Sequence, residues 1–145
     1  MNAIDLLISE HNKVRDILKK IAEDSKSFDE KKNSFKTLRH DLLRHEKMEQ
    51  TIWYPHFKDS DKLDKTVKHL IKEEKEAHQE IQDLNQIGSE EEWNTQFKKF
   101  KHDVEHHAHE EESKLFPQIR NIFSESELAN IGKEMLQFEK EYDAK

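Results

Sequence analysis

Apolar residues recur along this chain at alternating steps of three and four, the spacing of one face of a helix. In a first stretch, roughly residues 3 to 24, Ile4, Leu7, Val14, Leu18 and Ile21 share a side, and His11 shares it with them. A second, roughly 29 to 54, sets Phe35, Leu38, Leu42 and Ile52 in the same rhythm, with His45 and Glu49 written into the stripe. The third, roughly 61 to 87, runs Leu63, Val67, Ile71, Glu74, His78 and Ile81 along one edge, with Leu70, Leu84 and Ile87 beside it. A fourth, about 90 to 115, carries Trp93, Phe97, Phe100 and Val104, then His107 and Glu111. Leu128, Ile131, Met135, Phe138 and Tyr142 mark a shorter fifth helix, about 125 to 142.

The punctuation between these stretches suits helices joined by brief connections. Pro55 lacks an N–H and ends or kinks the second helix. "KDSDK" breaks the chain next, with Asp59 or Ser60 as an N-cap, and Gly88 closes the third helix. Ser89 with Glu92, and Ser124 with Glu127, have capping-box spacing. Short connections force antiparallel neighbours. The expected fold is all-α: an up-down-up-down antiparallel four-helix bundle over about residues 3–120, with the short fifth helix packed across it. Residues 1–145 read as a single domain.

Composition alone points elsewhere. With 32% apolar and 39% charged residues, the chain leans toward disorder. Periodicity decides otherwise, because a narrow stripe is enough for a bundle. Two Gly and two Pro leave little material for hairpins or barrels. The N-terminal "MNAIDLLISEH" has acids and no basic region, so no signal peptide is expected. No apolar run approaches a membrane span, and a cytoplasmic protein is the expectation. A net charge of −7 with interleaved signs argues against nucleic acid as a partner. There is no Cys, so any metal site must rely on imidazole and carboxylate. Ten His residues call for an explanation.

"HEKMEQTIWYP", residues 45–55, and "HAHEEESKLFP", residues 107–117, repeat one phrase: His-x3-Glu, then Pro six residues past the Glu. A single His–Glu pair at this spacing is usually a weak surface pair. Register changes the reading. His11, His45, Glu49, His78, His107 and Glu111 all fall on apolar stripes, spread over four helices, whereas His40, His69, His102, His106 and His109 fall off them and read as solvated. His56 follows Pro55 at a helix end and is set aside, and Glu46 borders its stripe and is expected to face solvent. Four imidazoles and two carboxylates in a dry interior are costly without partners, which metal ions would supply. At 1.5 Å per residue, His11 and His45 lie nearly level across the first connection, but His78 sits about 10 residues before Gly88 and His107 about 19 after it.

Spacing selects among metal-binding bundles. Ferritin-like sites use Glu-x-x-His, and the zinc-protease motif needs a His where Glu49 stands. Two His-x3-Glu phrases with a His on each remaining helix, ending in "WYP" and "LFP", resemble the hemerythrin-like (HHE cation-binding) family over about residues 3–120. That resemblance implies a non-haem centre of two iron ions with an oxo or hydroxo bridge. It implies His11, His45, His78 and His107 as terminal ligands and Glu49 and Glu111 as bridging carboxylates. Positions left open would take O2, NO or peroxide, for binding or sensing. The alternatives are a di-iron oxidoreductase or iron donor in oxidative or nitrosative stress and iron-centre repair, and an iron sensor; a monomer is compatible with each. In one respect the chain departs from the oxygen carriers, which have a second His one turn before the third-helix ligand. Here that position is Glu74, either a carboxylate ligand or a hydrogen-bond acceptor beside the metal.

Overall fold

In a computed structural model of the protein, residues 1–23 and 26–144 are described. Helix α1 spans Ala3–Ile21, α2 Phe28–Met48, α3 Asp64–Gln86, α4 Glu90–Glu110, α5 Phe116–Ile122 and α6 Glu125–Asp143. No strand occurs among the described residues. The expected end of the first helix, at residue 24, lies outside them. No helix among them is long and apolar enough to cross a membrane.

Local chemistry explains most of the helix starts. Ser27 caps α2 and Ser124 caps α6, each in a reciprocal box with the Glu three residues on. At α4 only half the box forms: the Ser89 hydroxyl accepts from Glu92 N–H. Neither Asp59 nor Ser60 caps α3. That helix begins after Leu63, which offers no side-chain acceptor, once a turn has bonded the Leu63 and Asp64 N–H groups to the Ser60 carbonyl. Extended Ile87, rather than Gly88, ends α3, and neither glycine takes a positive φ.

The last helix has 19 residues, as many as α1. It docks against the start of α1 through Gly132, where a Cβ would stand 3.0 Å from the Ala3 backbone nitrogen. A side chain there would make the start of α1 give way by a few tenths of an ångström.

The apolar interior falls into two clusters. One gathers Ile4, Leu7, Met48, Trp53, Leu70, Leu115 and Phe116 with the inner face of α6. The other gathers Val14, Leu18, Phe35, Leu42, Ile81, Leu84, Trp93 and Phe100. Along α1, α2 and α3 the chain passes from one cluster to the other, and past the end of α4 it leaves the second cluster for Leu115 and Phe116 of the first. The residues at the crossing are His11 on α1, His45 on α2, Glu74 on α3 and His107 on α4. A polar layer therefore separates two dry cores at one height.

Candidate metal centre

The polar layer is built from imidazoles whose two nitrogens face opposite ways. Outward, His45 Nδ1 bonds Glu10 Oε1 at 2.7 Å, His11 Nδ1 bonds Glu112 Oε2 at 2.7 Å, and His107 Nδ1 bonds Glu73 Oε1 at 3.1 Å. Glu112 is itself gripped by both terminal nitrogens of Arg15. Inward, His45 Nε2 lies 2.9 Å from Glu49 Oε1 and His11 Nε2 lies 3.3 Å from Glu111 Oε1. His107 Nε2 lies 3.3 Å from Glu74 Oε2 and 3.6 Å from Glu111 Oε1. When a ring is neutral, a carboxylate on the outer nitrogen keeps the proton there and leaves the inner lone pair facing the centre, the arrangement that metal-binding imidazoles use.

Both repeated phrases end in the same backbone device. Glu49–Trp53 and Glu111–Leu115 are π-helical turns, in which the Tyr54 and Phe116 N–H groups reach back five residues to the carbonyls of Glu49 and Glu111. The prolines that follow cannot donate an α-helical bond, and the wider turn accommodates them. It also carries Tyr54 and Phe116, equivalent positions of the two phrases, into the interior. The Tyr54 hydroxyl donates to Glu111 Oε2 at 3.1 Å and to Glu74 Oε2 at 3.3 Å. Phe116 stacks on the His11 ring, 6.1 Å between centroids. Burial, with the negative charges of Glu111, Glu49 and Glu74 around it, pushes the Tyr54 phenol well above its ordinary range and keeps it a donor.

Charge is unbalanced inside this layer. Burial, followed by the negative charges of Glu111 and Glu74, pushes the Glu49 carboxyl well above the carboxylate range. Burial works the same way on Glu111, but the Glu49 carboxyl and the His11 ring beside it, with the positive charges of His107 and His11, hold it low. Burial pulls His11 and His107 down, yet the carboxylates around each ring outweigh it and raise both. Protons thus stand where cations would neutralise the layer. Even so, His11 Nε2, His107 Nε2, both oxygens of Glu49 and Glu111 Oε1 are buried without a hydrogen-bond partner. Such atoms are costly to leave alone in a dry interior. His11, His45 and Glu111 can bring ligand atoms within 4.8 Å of one another, and so can Glu49, His107 and Glu111. Imidazole nitrogens and carboxylate oxygens so gathered are donors that fit a metal cation.

One comparison decides the relationship: residues 2–119 match the model of the hemerythrin HHE cation-binding domain. The chain belongs to that family. No match to the chain was found among curated proteins or solved structures. The HHE domain binds metal cations, and His11, His45, Glu49, Glu74, His107 and Glu111 all lie in the matched stretch and in the polar layer.

His78 is the member of the expected HHE set that the fold does not bring in. It lies on the exposed side of α3, beside Gln82 at 3.2 Å. The reason is helical phase. The buried edge of α3 runs Val67, Leu70, Glu74, Ile81 and Leu84, with half-buried Ala77 between, so the step after Glu74 is three residues and not four. Glu74, 2% exposed, takes the place inside and also accepts from Gln50 at 3.0 Å. Glu46 departs from expectation in the other direction. It is buried against a cavity lined by α1, α2, α3 and α4, and burial with the charge of Glu74 pushes its carboxyl to about 8. The expected surface histidines His40, His69, His102, His106 and His109 are exposed, as is His56.

A cavity of about 260 Å³ opens from the layer. Leu18, Leu42, Ala77 and Val104 form its apolar walls, and His11, His45, Glu49 and His107 its inner end.

Proposed function

We propose that the protein holds two iron ions in one centre and binds or senses a small ligand such as O2, NO or peroxide there. His11 and His45 would serve one ion, His107 and Glu74 the other, and Glu49 and Glu111 both. The observation that carries this reading is the set of buried, unpartnered nitrogen and oxygen atoms facing one another between two apolar cores. Single-domain organisation and an up-down-up-down course of α1, α2, α3 and α4 complete the proposal, since that course brings four helices to one level.

Bound iron would supply reversible change of oxidation state and open positions for a small ligand. The chain's own residues do the rest. Glu10, Glu73 and Glu112 hold the three imidazoles in register through their outer nitrogens. Tyr54 ties Glu74 to Glu111 and offers a proton donor inside the layer. Leu18, Leu42, Ala77 and Val104 give the cavity an apolar wall wide enough for a small ligand, while Arg15, Glu76, Glu80, Lys99, Asp103 and Glu105 line it with charge.

Exposing the reduced, iron-loaded protein to O2, and separately to NO, tests this reading. The expected result is a change in the visible spectrum that reverses when the gas is removed. One-way oxidation, with oxidant consumed on each addition, would assign the site to turnover instead.

A further inference from the structure

The His-x3-Glu spacing occurs twice more, outside the polar layer, as His69 with Glu73 on α3 and His106 with Glu110 on α4. On α4 it starts one residue before the core phrase, so it points about 100° away around the helix. Alone, each would be an ordinary surface pair. The fold sets them face to face. His69 Nε2 lies 3.4 Å from Glu73 Oε2 and 3.3 Å from Glu110 Oε2. His106 Nε2 lies 3.9 Å from Glu73 Oε2 and in direct contact with Glu110 Oε1. Ligand atoms around a tetrahedral zinc ion, about 2.1 Å from the metal, stand roughly 3.3–3.4 Å apart.

Charge points the same way. The Glu110 side chain is 8% exposed and that of Glu73 18%, while the two imidazoles are about half exposed. Among the described residues, imidazoles are the only basic groups within salt-bridge reach of either carboxylate. With neutral imidazoles the cluster carries two negative charges; ligand atoms of His69, Glu73 and Glu110 lie within 4.8 Å of one another, and His106 touches Glu110 beside them. Nitrogen with oxygen donors suits a divalent transition ion better than calcium or magnesium.

We infer that His69, Glu73, His106 and Glu110 form a second metal site on the outer face of α3 and α4, taking one divalent transition ion such as Zn2+ or Fe2+. Glu73 links it to the interior: Oε2 faces the outer cluster while Oε1 holds His107 Nδ1. An ion bound outside therefore shares a carboxylate with an imidazole of the inner layer.

Zn2+ is the probe. The full-length chain and the double variant His69→Ala/His106→Ala are titrated calorimetrically, and bound metal is counted after dialysis. The native chain should bind one more equivalent of Zn2+ than the variant, with affinity at that site falling at least about 100-fold on removal of two ligands. His109→Ala should keep the extra equivalent, and Glu110→Gln should lose it. Equal zinc counts in the native chain and the double variant would overturn the proposal. The count is a difference between proteins with the same interior, so it holds whatever that interior contains. Iron content measured on the same samples tests the inner centre separately.

Discussion

Replacing His107 with alanine should lower the melting temperature of the metal-loaded protein by on the order of 10 °C, and chelating the metal from the native chain should do nearly the same. The imidazole stands among Glu73, Glu74 and Glu111, and removing it leaves carboxylates facing one another in a layer between two dry cores. Deleting one partner of a buried charge pair costs about 3 kcal/mol or more. In a domain of this size each kcal/mol is worth roughly 3–4 °C. Metal held at a thousand times its dissociation constant adds about 4 kcal/mol per site, and chelation removes that. His102→Ala is the control, because His102 lies on the same helix but is exposed and outside the layer. Differential scanning calorimetry of both variants, with and without chelator, separates the cases. Equal losses for the two variants would mean that the interior phase of α4 is wrong.

The second large effect concerns α3. Glu74→Gln should reduce the metal content of iron-loaded protein from two ions per chain toward one, while His78→Ala should leave it unchanged. The Gln variant preserves shape and can still accept from Tyr54 or Gln50 through its one carbonyl oxygen, so what it chiefly removes is the negative charge and the donor strength of the carboxylate. Weakening one ligand in this way should lower affinity for the His107-side ion by about 10- to 100-fold. Elemental analysis after desalting reads the difference. Loss of an ion in His78→Ala, with none lost in Glu74→Gln, would restore the sequence-based assignment and require α3 to turn by about one residue when loaded.

Why α3 misled the sequence reading is a matter of adjacent apolar residues. On α1, α2 and α4 the stripe is narrow and unambiguous, and His11, His45, Glu49, His107 and Glu111 could be read from phase alone. On α3, Leu70 and Ile71 are neighbours, and either can continue the stripe from Val67. Choosing Ile71 leads through Glu74 to His78; choosing Leu70 leads through Glu74 to Ala77, and the two full clusters show that packing takes the second path. A signal was present in the heights. His78 stood too close to the α3–α4 connection to meet His107, and Glu74, about four residues further from it, reduces the mismatch.

The outer carboxylates were visible only as residues adjoining the candidates: Glu10 before His11, Glu73 before Glu74 and Glu112 after Glu111. Nothing in spacing says that Glu10 serves His45 on another helix. The π-turns were foreshadowed by Pro55 and Pro117, but a proline six residues past a Glu predicts an interruption, not its kind. Tyr54 was missed for that reason, since its reach to Glu111 depends on the extra residue in the turn.

The central claim is that Glu49 and Glu111 join two ions in one centre. Counting iron per chain, after anaerobic loading with ferrous iron and desalting, tests it most directly. The predicted result is two irons per native chain and at most one when Glu49 and Glu111 are both replaced by alanine. One or no iron in the native chain, or two retained in the double variant, would contradict it.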